Sequence, residues 1–188
     1  MRHIVTIGCS AGGIQALKNL LLHWPYQLDL SVLIVQHLDR KTRQFATLLN
    51  SFSKWPVAEA MHCQKIQRQH IYFAPPDYHL LVERNGLLSL SYEEKVCFTR
   101  PSIDVLFCTA AQAYKHQVIG LLLTGANHDG SEGCRQIKAC GGMTIAQNPQ
   151  EAQISVMPQA AIDAGVVDHV LTLAEMIVYL NTLERVQL

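Results

Sequence analysis

A chain of 188 residues that sets 15 Lys and Arg against 15 Asp and Glu has a formal net charge of zero, and only 16% of its residues are charged. That length suits one domain with a well-buried core and no disulfide staples, and the balanced charge argues against a basic field for nucleic acid or anionic membrane. The six cysteines, Cys9, Cys63, Cys97, Cys108, Cys134 and Cys140, include no Cys-x-x-Cys pair and no cysteine–histidine spacing typical of zinc, so no metal is expected.

No stretch combines Pro, Gly and Ser into a linker, and there is no repeat, low-complexity tract or long charge run. A single domain over residues 1–188 is therefore expected. The amino terminus enters a strand almost at once, leaving no room for a signal peptide, and no apolar run reaches membrane-spanning length. The expected location is the cytoplasm, with no insertion into a membrane.

The first predicted strand, Ile4-Val5-Thr6-Ile7, stops at Gly8-Cys9-Ser10-Ala11-Gly12-Gly13 and gives way to a helix over Ile14–Leu22. Two patterns compete for this turn. As a dinucleotide fingerprint, Gly8, Ser10 and Gly13 take the three glycine positions, but the middle one carries a side chain where a pyrophosphate needs bare backbone. As a nucleophile elbow, Gly8-Cys9-Ser10-Ala11-Gly12 fits Gly-x-Ser-x-Gly, with a strand before it and a helix after. A third reading is a glycine-rich turn with an incidental serine.

After Trp24-Pro25, the apolar run Ser31–Gln36 predicts a strand buried on both faces, ending at His37. Arg40–Ser51 predicts an amphipathic helix, and Val57–Ala60 a short strand. Ile71–Ala74 runs into Pro75-Pro76-Asp77. Tyr78–Glu83 and Leu87–Tyr92 then flank Asn85-Gly86, a hairpin signal, so an antiparallel ribbon is expected beside an otherwise parallel sheet. Alternation resumes with a helix over Ile103–Tyr114 capped by Ser102 and a strand over Val118–Leu123. Next come a helix near Ser131–Ala139, a strand over Met143–Gln147, a short helix after Pro158, a strand over Val166–Leu171 and a helix over Leu173–Glu184. This is an α/β fold: a doubly wound, mainly parallel sheet with flanking helices and an appended antiparallel β-hairpin.

In such sheets ligands bind beyond the carboxyl ends of the strands. Three of those ends carry Ser10, His37 and Asp129, the residue types of a nucleophile, its base and the carboxylate that orients the base. Each has a plainer role open to it: His37 as a solvent-facing terminus, and Asp129 as a cap for the helix that follows. Cys9 is expected to point into the core. Asp39 lies near where a dinucleotide site would place its ribose-binding acid, which keeps that alternative open.

Several segments together resemble, in order along the chain, the catalytic domain of the CheB family of chemotaxis protein-glutamate methylesterases. They are Gly8–Gly13, Gln36-His37, Tyr72–Pro75 with His79, Arg100–Phe107, Thr124-Gly125 with Asp129-Gly130, Ala146-Gln147 and Met157-Pro158. The resemblance implies a serine hydrolase that removes methyl groups from glutamyl methyl esters on chemoreceptor cytoplasmic helices, releases methanol, and in some members deamidates receptor glutamines. It implies Ser10 as nucleophile, His37 as base and Asp129 as acid, with backbone at Ala11 and Ala126 supporting the oxyanion, a substrate pocket near Gly12, Asn127 and Met157, and no cofactor. Family members commonly carry Thr-Gly-Met-Gly-x-Asp-Gly before the acid, where Ala126 and Asn127 stand here, and many have threonine at the position of Ala11. Asn127 is expected to keep that turn by accepting a positive φ. The family's best-known members also carry a receiver domain, so regulation by a separate receiver protein is an expectation. A catalytically silent scaffold that binds receptors is the alternative from another functional class.

Overall fold

The computed structural model describes residues 3–37 and 45–183. Strands β1 (His3–Cys9), β2 (Leu30–Gln36), β3 (Val57–Glu59), β5 (Ile71–Phe73), β8 (Val118–Leu122), β9 (Met143–Gln147) and β10 (His169–Leu171) form one seven-stranded sheet. Its order is β10-β9-β8-β1-β2-β5-β3, and every neighbouring pair is parallel. Parallel neighbours need crossovers, and most run through the helices α1 (Gly13–Leu22), α2 (Phe45–Asn50), α3 (Ile103–Tyr114), α4 (Ser131–Ala139) and α5 (Val156–Asp163); the β3–β5 connection over 60–70 holds no helix, and α6 (Leu173–Thr182) follows the last strand.

The apolar runs seen in the sequence are explained by burial on both faces of this sheet. Every residue of β2 is buried, as expected for a strand covered by helices on either side. Val5, Ile7, Val32, Ile34, Ile119 and Leu121 face one way, where Leu17, Leu49 and Met176 bring α1, α2 and α6 against the sheet. On the opposite face Ile4, Leu33, Val35, Tyr72 and Leu122 meet Phe107, Ile137 and Ala161 of α3, α4 and α5. Side chains this deeply buried contribute roughly 1.5–3 kcal/mol each through removal from water.

A second, antiparallel sheet of order β4-β7-β6 joins β4 (Gln64–Lys65), β6 (His79–Val82) and β7 (Leu87–Ser91). The predicted hairpin is β6–β7, turning at Gly86 with φ 78°. Strand β4 is not legible in the sequence, because two polar residues carry no alternation. The predicted strand over Val166–Leu171 shortens to β10, since Asp168 leaves the ladder to bind Thr144 through both its backbone and its carboxylate. Helix α5 starts before Pro158 rather than after it, with the proline in its first turn, where a missing N–H costs nothing. The early part of the predicted Arg40–Ser51 helix, Asp39 and the end of the last predicted helix lie outside the described residues.

Strand β1 lies between β2 and β8, and the chain winds outward from it in both directions. That is a topological switch point, where a crevice opens beyond the carboxyl ends of the strands.

Candidate active site

Backbone hydrogen bonds carry the sheet into this crevice. Leu123 N–H donates to Gly8 O at 2.9 Å, Ser10 N–H to Thr124 O at 3.0 Å and His37 N–H to Cys9 O at 3.2 Å. Ser10 and His37 are therefore held as continuations of the strands. Gly12 closes the turn in the left-handed region, at φ 82°, and precedes α1. A Cβ there would also approach Gln153 Cβ to 2.8 Å, so the turn requires glycine twice over.

The Ser10 Oγ and His37 Nδ1 atoms are 3.2 Å apart, and His37 Nε2 lies 2.9 Å from Asp129 Oδ2. An ionised Asp129 accepts the Nε2 proton, which leaves Nδ1 as the acceptor facing the serine hydroxyl. The ring is used in the opposite sense to the common template, in which Nε2 faces the nucleophile. The His37 side chain is 13% exposed and that of Asp129 is fully buried, so the chain of bonds runs from the surface inward.

Asp129 does not cap the helix that follows it; Gly130, at φ 104°, takes that position before α4. Its carboxylate reaches across to α3 instead. Oδ2 accepts from Ile103 N–H at 2.7 Å and from the Thr99 hydroxyl at 3.1 Å, while Oδ1 accepts from Asp104 N–H at 3.0 Å and from the Ser102 hydroxyl at 2.9 Å. Asp104 returns the arrangement, its Oδ1 accepting from Gly130 N–H at 2.8 Å and Gly133 N–H at 2.7 Å at the start of α4. Each aspartate thus closes the amino end of the helix belonging to the other.

The two carboxyls respond oppositely. Burial pushes Asp104 up to about 6, helped by the charge of Asp129 and opposed by the two glycine N–H groups. Burial also works to raise Asp129, but the hydrogen bond from His37 and the N–H groups of Asp104 and Ile103 outweigh it and hold this acid below its usual range. Cys97, Asp104 and Asp129 place potential ligand atoms within 4.8 Å of one another. Their carboxylate oxygens are already directed at helix N–H groups, which is the chemistry of a cap rather than of a metal cage.

Among the described residues, no hydrogen bond engages the N–H of Ala11 or of Ala126, and both residues are exposed beside the site. Asn127 is not left-handed, contrary to expectation; its Oδ1 accepts from Asp129 N–H at 3.2 Å, so the side chain rather than a special φ supports the turn. Met157 does not face solvent, where an open substrate pocket would need it. It is fully buried, and a Cβ on Gly125 would come within 2.5 Å of its methyl carbon, so it props the loop from beneath. Gly12 does border a cleft of about 110 Å³ beside the elbow, together with Gln15, Asn19, Thr124 and Gln153. A larger cavity of about 350 Å³ lies at Val82, Arg84 and Thr109 and touches none of Ser10, His37 or Asp129.

Cys9 points inward, its thiol pushed up by burial and its Sγ donating to Gln36 Oε1 at 3.1 Å. Gln36 is the residue whose part the sequence does not disclose. Its Nε2 donates to Ser10 O at 2.8 Å and to His37 O at 3.0 Å, so one buried amide ties the serine and histidine backbones together. Thr99 and Asp104 likewise have no role legible in the sequence, though Gln36 and Asp104 both fall within segments that carry the resemblance. The signal available was an amide side chain closing an apolar strand immediately before His37.

An open parallel α/β sheet with a hydrogen-bonded Ser–His–Asp chain at its switch point defines the class: the arrangement is that of a serine hydrolase. A family model described as CheB methylesterase matches residues 5–180. A putative protein-glutamate methylesterase/protein-glutamine glutaminase of Leptospira interrogans is 43% identical over 187 residues, covering 96% of this chain and 97% of that protein. A protein-glutamate methylesterase/protein-glutamine glutaminase of Pyrococcus abyssi is 37% identical over 93% of this chain but only 49% of its own length. The crystal structure of the Thermotoga maritima CheB methylesterase catalytic domain superposes with a TM-score of 0.93, at 31% identity over 97% of this chain and 99% of that one. The chain belongs to the CheB methylesterase family.

Proposed function

We propose that this protein is a protein-glutamate methylesterase in which Ser10 is the nucleophile, His37 the general base and acid, and Asp129 the acid that orients the histidine. The observation that carries the reading is the continuous hydrogen-bonded path from Ser10 Oγ through His37 to buried Asp129.

Ser10 Oγ attacks the carbonyl carbon of a glutamyl methyl ester and passes its proton to His37 Nδ1. The resulting oxyanion faces the N–H groups of Ala11 and Ala126, which have no partner among the described residues. Collapse expels methoxide, which takes the proton from His37 and leaves as methanol. Water, deprotonated by His37, then cleaves the acyl-enzyme to free glutamate and restore Ser10. With a glutamine side chain the same steps release ammonia. The substrate is read as the methylated cytoplasmic helices of a chemoreceptor, which places the work in the cytoplasm. Among the described residues no helix is long and apolar enough to cross a membrane.

Release of methanol from a methylated receptor fragment tests the proposal. Ser10→Ala abolishes release if the reading is right, and undiminished release by that variant rejects it. Thermal unfolding of Ser10→Ala stays close to that of the parent, since Ser10 Oγ bonds only to His37 among the described residues.

A further inference from the structure

Among the described residues, six of the eleven exposed large apolar side chains, Ile14, Tyr78, Tyr92, Val96, Phe98 and Val156, lie in loops or helix starts that follow the sheet strands or flank the small sheet, while Leu22, Leu48, Met61, Val170 and Val178 are scattered over other elements. Concentrations of this kind mark surfaces that meet another molecule. Phe98 is the extreme case, at 96% exposure.

Its exposure is built in. Val96 and Thr99 exchange both backbone hydrogen bonds, at 3.2 and 2.9 Å, which makes residues 96–99 a tight turn. Its two central residues, Cys97 at φ 50° and Phe98 at φ 64°, are both left-handed although neither is glycine or asparagine. Such strain persists only where the surroundings impose it. Here Thr99 holds it, its one hydroxyl proton shared between Val96 O at 2.9 Å and Asp129 Oδ2 at 3.1 Å. On the other side the Arg100 guanidinium lies 3.7 Å from the Tyr92 ring centroid and pairs with Asp77, while Tyr92 packs on Tyr78 at 5.6 Å.

Resting on the esterase reading above, we propose that the 96–99 turn, with Phe98 at its tip and Tyr78 and Tyr92 beside it, is the surface that seats the substrate helix. Thr99 of this turn bonds to Asp129 Oδ2, the oxygen that also meets His37 Nε2, so the turn is tied directly to the Ser10–His37–Asp129 path. A polypeptide helix bearing a glutamyl ester is the molecule that the chemistry obliges to lie there. The ester occupies the nucleophile, and the apolar residues one turn away along the helix meet the aromatic rim. Arg100 is already paired with Asp77, so this contact is apolar in character rather than an ion pair with the receptor.

Phe98→Asn deletes the aromatic ring while supplying a residue that accepts the left-handed backbone, and Phe98→Tyr restores a ring. Each protein is assayed for kcat/KM on a methylated receptor fragment and on p-nitrophenyl acetate, which needs no helix contact. The ratio of receptor to small-ester kcat/KM falls at least about tenfold in Phe98→Asn, chiefly through KM, and recovers in Phe98→Tyr. An unchanged ratio overturns the docking surface, whether the individual rates hold or fall together. Small-ester turnover by the parent protein without receptor demethylation removes the receptor substrate itself, and the docking surface with it.

Discussion

Replacing Asp129 by asparagine should damage stability and chemistry together. Oδ1 accepts from Asp104 N–H and Oδ2 from Ile103 N–H, so either orientation of an amide sets its NH₂ against a backbone donor. An orphaned buried donor costs about 1–3 kcal/mol, and loss of the negative charge at the start of α3 adds roughly 1–2 kcal/mol. Asp129 ionises more readily than an ordinary carboxyl, and this decides the sign, because surroundings that favour the ionised form lose by its neutralisation. A total of about 2–5 kcal/mol corresponds to a fall in Tm of about 5–15 °C for a domain of this size. The amide also presents a donor to His37 or fixes the wrong tautomer, with kcat falling about 10⁴-fold. Differential scanning calorimetry and methanol release, with Ser10→Ala as the comparison, separate the two effects. If Asp129→Asn unfolds at the temperature of Ser10→Ala, the carboxylate is not a structural cap and the reasoning fails.

Other expectations follow from the same geometry. Asp104 titrates near 6 in the folded protein, above its ordinary value, so it destabilises the fold increasingly as pH rises from about 4 to about 6, by roughly 3 kcal/mol in all. Asp104→Asn keeps an oxygen for Gly130 and Gly133 N–H, and the difference in urea midpoint between pH 5 and pH 7.5 should shrink in that variant; an identical pH dependence rules the assignment out. Asp129 has the opposite sign: its depressed value contributes stability at neutral pH that is lost only as pH falls through its folded-state value, below the usual carboxylate range. Gln36→Leu removes the amide donating to Ser10 O and His37 O and should lower kcat about 10–100-fold with little change in KM, since misplacement of the reacting atoms rather than binding is affected. A parallel rise in KM would show that Gln36 acts on substrate instead.

The sequence discloses the part of the site that periodicity can carry. Ser10, His37 and Asp129 follow apolar runs that end abruptly, and parallel strands bring such ends to one edge. Contacts between segments distant in the chain stay hidden in it. Asp129 reads as a cap for the helix after it, yet it closes α3, whose start lies 26 residues earlier, because the two helices pack side by side. Met157 reads as a lining residue, but its burial is set by Gly125, far from it in sequence. The left-handed pair Cys97-Phe98 carries none of the glycine or asparagine that would announce such a turn. Gln36 reads as the last residue of a strand, and only the approach of the elbow makes its amide a tie between Ser10 and His37.

The backbone ladder that runs past the strand ends at Gly8, Cys9 and Thr124 divides the labour of the site. Ser10 and His37, whose positions the chemistry fixes most tightly, are held by backbone bonds to neighbouring strands. The rim that meets a partner is assembled from separate excursions of the chain. Recognition can thus be rewritten by exchanging one excursion, with the bond-breaking apparatus left in register, so that one scaffold is able to acquire new protein targets without relearning its chemistry.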